Sequence, residues 1–154
     1  MFKEWRLDND SCCYFCGVGP ESIYHLFGTC EKLKGLWEIL SEVHLFVTME
    51  SLNYKVMRRN FHLDFSTVSC NSVYEKSIIY LNTIANYSIW RHMNDIRYKF
   101  AKFDLEVITK KMIRSIGARR GSELHMSESF KIPYITQLYD ALIVATTHYP
   151  FDRG

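Results

Sequence analysis

The chain has 154 residues, 47% of them hydrophobic and 15% aromatic, and a formal net charge of +2. That much apolar material can fill a core, which excludes a disordered chain, and the length suits one domain or a small module packed on a helical one. No run of eighteen or more uncharged apolar residues occurs, so a membrane partner is not expected, and seven glycines and three prolines leave little material for a linker.

Residues 1–12 are mixed in character and read as extended or loose. Cys13, Cys16, His25 and Cys30 then follow as C-x2-C-x8-H-x4-C. Three thiolates and one imidazole fill a tetrahedral zinc site and leave no position open for a substrate. Gly17 stands where a knuckle turn needs positive φ. Pro20 can open a short helix whose His25 ring projects back toward the turn, with Gly28 at its end and Cys30 starting the next helix. If the four residues share one ion, their donor atoms should converge within about 4 Å of one another. Cys12 is an alternative to Cys13, as C-x3-C, although Cys13 gives the tighter turn. The competing readings are cysteines that are merely small core residues, and a disulfide. The disulfide is disfavoured by the odd count of five cysteines, with Cys12 and Cys70 left over, and by the lack of an evident signal peptide. The eight-residue gap and the terminal Cys do not fit the DNA-reading finger, which has a gap of about twelve and a terminal His pair.

Thr29 can cap a helix over about 30–43, with Leu33, Leu36, Trp37, Leu40 and Val43 on its inner face. Residues 44–72 are ambiguous: Thr48 can cap a short helix burying Met49, Leu52 and Val56, and Phe61, Leu63 and Phe65 alternate with His62 and Asp64 as in a short strand or an extended arm. Residues 73–99 read as the longest helix. One of its rows is Ile78, Leu81, Ala85, Ser88 and His92; another is Tyr80, Ile84, Tyr87 and Arg91, and a helix apolar on more than one side is usually central. A helix over about 103–117 would bury Leu105, Ile108, Met112 and Ile116 and end at Gly117. A polar loop over 118–130 precedes a last helix over about 133–148, behind Pro133, burying Ile135, Leu138, Leu142 and Ala145. The fold expected is therefore mostly α, a small zinc knuckle followed by a helical domain. The boundary falls between a zinc-binding module with its following helix (1–45) and a helical C-terminal domain (46–154).

Charge is unevenly spread. Residues 91–120 carry nine basic and three acidic side chains, while residues 1–30 and 121–154 each carry two basic and four acidic. Arg97, Lys99, Lys102, Lys110, Lys111 and Arg114, with Tyr98, Phe100 and Phe103 interleaved, suit contacts to phosphates and unpaired bases. A solvated helix face with its aromatics turned inward is the other reading. No enzyme is expected. There is no phosphate-binding glycine loop, no Asp-Asp pair and no evident base; His44, His62, His92, His125 and His148 are scattered, and Cys70 has no His partner in sequence.

The segment Cys13-Tyr-Phe-Cys-Gly, then Glu21-Ser-Ile-Tyr-His-Leu-Phe, Cys30 and Leu36-Trp37 resembles the zinc-binding domain C-terminal to the reverse transcriptase of non-LTR retrotransposons. The resemblance is sharp from Cys13 to about Leu40 and looser through the helix and basic stretch beyond. It implies zinc on Cys13, Cys16, His25 and Cys30, and a non-catalytic module gripping RNA or single-stranded DNA. It further implies an upstream reverse transcriptase domain in a longer polypeptide, of which this chain is a fragment, a truncated gene model or a domesticated remnant, in the nucleus or cytoplasm. The alternative function is a zinc-stapled protein–protein adaptor or inactive remnant. Basic residues forming one continuous surface would favour nucleic acid; basic residues dispersed or paired with acids would favour the adaptor.

Overall fold

A computed structural model of the chain describes residues 12–18, 22, 25–48 and 72–151. The short helix capped by Thr48, the strand at 61–65, Pro20 and Cys70 lie outside the described residues. Among those that are described the fold is mostly α, with four α-helices and no strand, and a cysteine cluster precedes the helical domain. The helices are α1 (Lys34–Thr48), α2 (Ser72–Lys99), α3 (Leu105–Ser122) and α4 (Ile135–His148).

α1 is entered through one 3-10 turn, Glu31–Leu33, with Cys30 extended at its N-cap and the Leu33 amide donating to the Cys30 carbonyl at 3.1 Å. Leu33, Leu36, Trp37, Leu40 and Val43 recur at three- and four-residue spacing and are all buried, as the sequence pattern requires. Burying five such side chains contributes on the order of 10 kcal/mol before conformational entropy is subtracted. The stripe packs chiefly on α4, whose Leu138, Leu142 and Ala145 are buried opposite. Gly35 lets the C-terminal segment approach closely: a Cβ there would collide with the Tyr149 hydroxyl and the Leu105 side chain. His44 is buried on α1, and burial pushes its pKa down to about 4, so the ring is neutral in the core.

α2 and α3 form an antiparallel pair. Lys111 meets Asp95 at 3.3 Å, the Asp104 amide donates to His92 Nε2 at 2.9 Å, and Arg119 and Glu123 exert their charge on Tyr80 at the far end. The turn between them has a defined chemistry. Phe100 takes a left-handed conformation (φ 58°), and the Ala101 amide closes back on the Asp95 carbonyl, satisfying an end-of-helix acceptor. Asp104 then caps α3, its Oδ1 accepting from the Glu106 amide at 3.0 Å. Leu81, Ala85, Ser88 and His92 are buried along α2, as are Ile108, Met112 and Ile116 along α3.

Three local expectations change. Gly117 does not end α3, which continues to Ser122; the Tyr139 ring of α4 lies where a Cβ would be and explains the glycine. The polar stretch expected as a loop holds two 3-10 turns, Glu123–His125 and Glu128–Phe130. It is fastened by the buried Glu123 carboxylate, which accepts from Arg119 Nε at 3.0 Å and the Ile132 amide at 2.8 Å. The second row of α2 is not buried throughout, since Tyr87 and Arg91 are exposed.

Candidate metal centre

The cysteine cluster is assembled by two turns. In the first, the Gly17 amide donates to the Cys13 carbonyl at 2.9 Å and Gly17 sits at φ 71°, so the chain reverses and both sulfurs face one side. The Phe15 amide, 3.4 Å from Cys13 Sγ, adds a charge-orienting N–H donor. In the second, a single wide π-turn spans His25–Thr29, entered by a hydrogen bond from the His25 amide to Ser22 Oγ at 3.1 Å. It closes with the Cys30 amide on the His25 carbonyl at 2.8 Å, which brings His25 and Cys30 to the same side. Gly28 lies inside this turn and does not end it.

The result is one cluster. Cys13 Sγ lies 3.8 Å from Cys30 Sγ, Cys16 Sγ lies 3.2 Å from His25 Nε2, and one ligand atom from each of the four residues falls within 4.8 Å of all the others. A tetrahedral zinc with ordinary bond lengths has S–S edges of about 3.8 Å and S–N edges of about 3.6 Å. The four residues can therefore hold a metal ion. The widest spacing slightly exceeds the roughly 4 Å expected from sequence. Cys13, not Cys12, is the member: Cys13 is buried in the cluster and Cys12 is exposed outside it.

The electrostatics point the same way. Without a cation, the Cys13 and Cys30 sulfurs, 3.8 Å apart, share one proton between them. The hydrogen bond from Cys30 holds the Cys13 thiol down to about 5 against the burial that alone would raise it. That same hydrogen bond, and then burial, push the Cys30 thiol far up. A divalent cation held by the four residues would replace the shared proton and stabilise the sulfurs as thiolates. Three sulfurs and an imidazole are a donor set suited to zinc and poorly suited to calcium or magnesium.

One contributor was not assigned to the site from sequence. Thr29 does not cap the next helix; its Oγ1 lies 3.2 Å from His25 Nδ1. With Nδ1–H donating to that hydroxyl, the Nε2 lone pair is left for the cluster. The four-residue separation on a helical turn was the signal that could have found it.

The cluster also abuts the helical core. The buried Phe15 ring lies 4.9 Å from the Phe103 ring and 5.8 Å from His92, and Arg97 lies over Tyr14 at 5.8 Å.

The basic residues singled out by charge fall into two groups. Lys102, Lys110 and Arg114 are exposed, the latter two one helical turn apart on α3. Lys111 is only 15% exposed and is held by Asp95. Lys99 is outward but 3.6 Å from the same carboxylate, and Arg97 is half-buried, its guanidinium over Tyr98 at 5.2 Å. Arg119 and Arg120 face Glu123 and Asp140 at 3.0 and 4.0 Å. Of the interleaved aromatics, Phe103 packs inward, whereas Phe100 is 90% exposed on its left-handed backbone. No described helix is long and apolar enough to cross a membrane. Comparison of the chain with protein-family models, curated proteins and solved structures gives no match.

Proposed function

We propose that the chain is a zinc-stabilised nucleic-acid-binding module, of the kind found C-terminal to non-LTR retrotransposon reverse transcriptases. The observation that carries this reading is the convergence of Cys13, Cys16, His25 and Cys30 on one point, in a segment whose aromatic neighbours follow the same order as that family. The zinc is structural. Bound, it supplies folding free energy, because all four positions are taken by protein ligands. Phosphate contacts come from Lys99, Lys102, Lys110 and Arg114, with Arg97 beside Tyr98 and the outward ring of Phe100 near them in sequence. Four such contacts give a log–log salt slope of at most about −3 on a single strand.

A second reading is supported by a specific feature. Lys111, Arg119 and Arg120 are engaged by carboxylates, which is the arrangement of an adaptor whose zinc staples a helical domain. The experiment that separates the two is a salt titration of RNA and single-stranded DNA binding by the zinc-loaded chain and by the Lys110→Glu/Arg114→Glu variant. These positions replace Lys111 in the test because reversal of Lys111 would also break its ion pair with Asp95. The nucleic-acid reading expects steep salt dependence and weaker binding of the variant to all sequences alike. Absence of binding at low salt would favour the adaptor.

A further inference from the structure

The exposed face of α2 has a composition that the basic block does not account for. Tyr87, Trp90, Arg91, Asn94 and Tyr98 recur at the three- and four-residue spacing that places side chains on one face, and Lys76 continues that face toward the helix start. Tyr87 and Trp90 are 50% and 38% exposed, and their rings stack at 6.2 Å with planes 26° apart. The Arg91 guanidinium lies 5.7 Å over Tyr87, and that of Arg97 lies 5.2 Å over Tyr98. Large rings grouped in water on the middle of a long helix mark an interaction surface.

The charge on that surface selects the occupant. Among the described residues its charged members are Lys76 and Arg91, both basic, and Asp95 at its border is engaged by Lys99 and Lys111. A polyanion is therefore the complementary partner. The recognising groups are flat, partly exposed rings flanked by guanidinium groups on one helix face, which offer stacking. Base faces are available for stacking only where they are unpaired. We infer that this face of α2 is a stacking platform for the bases of an unpaired strand. From Tyr87 to Tyr98 it rises about 16 Å, enough for several consecutive bases. The inference rests on the nucleic-acid reading above and adds to it the face that meets the bases, a second and phosphate-independent contact.

The test compares two labelled probes of equal length, a twelve-nucleotide oligothymidylate and its abasic counterpart, by anisotropy with the zinc-loaded full chain. The oligothymidylate should bind about tenfold more tightly than the abasic strand. Tyr87→Ala/Trp90→Ala should bring that ratio close to one while leaving abasic affinity unchanged. Tyr87→Phe/Trp90→Phe, which keeps the rings, should retain most of the ratio, and circular dichroism of each variant separates lost stacking from lost fold. Equal affinity of the wild-type chain for both probes, with steep salt dependence, would overturn the platform and leave the phosphate-binding reading standing. No binding of either probe would overturn both. Self-association in sedimentation that disappears in the double alanine variant would assign the face to a second copy of the chain and overturn the platform.

Discussion

At the scale of single residues, the candidate metal centre depends on which way one imidazole faces. His25 Nε2 is 3.2 Å from Cys16 Sγ, and Thr29 Oγ1 lies 3.2 Å from Nδ1 on the far side of the ring. With Nδ1–H donating to the hydroxyl, Nε2 is the nitrogen left for a metal, and a hydrogen bond of this kind raises the basicity of a ligating imidazole. Thr29→Ala removes that hydrogen bond without touching a ligand, and Thr29 is exposed, so little packing is lost. The expected outcome is a loss of zinc affinity on the order of tenfold in a competition titration against a chromophoric chelator, with helical content unchanged. His25→Ala, by contrast, should lose the site altogether. Equal affinities of the wild-type chain and Thr29→Ala would show that the ring is held by the turn alone.

At the scale of elements, two glycines of α3 have opposite roles although the sequence presents them alike. Gly121 has open space where a Cβ would go, so Gly121→Ala should stabilise the chain by about 0.5–1 kcal/mol through helix propensity and reduced unfolded-state freedom. At Gly117 the added carbon would stand 2.9 Å from Tyr139 Cε1, on the face that packs against α4. There the overpacking cost of about 1–3 kcal/mol exceeds the propensity gain, and Gly117→Ala should destabilise. Urea midpoints of the two variants check both signs. The contrast shows what sequence conveys about elements. The buried rows from Leu33 to Val43, Leu81 to His92, Ile108 to Ile116 and Ile135 to Ala145 were legible because periodicity reports burial directly. Termination was less legible. Gly117 reads as a stop in isolation, and only the tertiary position of Tyr139 makes it a close-approach site within a continuing helix. The end of α2 inverts the error: Phe100, a residue that rarely adopts positive φ, occupies the left-handed position that glycine would normally take.

At the scale of the whole molecule, the knuckle and the helices share apolar contacts. Cys13, Phe15, Leu26, Phe27 and Cys30 belong to the same buried cluster as Trp37, Met93 and Leu142, and Phe15 lies against Phe103 and His92. The clustering of Cys13, Cys16, His25 and Cys30 was legible in sequence because four potential donors at fixed spacing have few alternative uses. The choice of Cys13 over Cys12 and the pairing of Lys111 with Asp95 were not, because both are set by how turns and helices meet in space. The proposed function requires a closed Cys3His centre, and native mass spectrometry of the chain purified under reducing conditions without added metal tests for it most directly. It should show one zinc bound per chain, lost in Cys16→Ser together with a lower urea midpoint, while most of the far-ultraviolet helical signal remains. A wild-type chain that carries no metal, binds none when zinc is supplied, and unfolds at the same midpoint with and without chelator would contradict it.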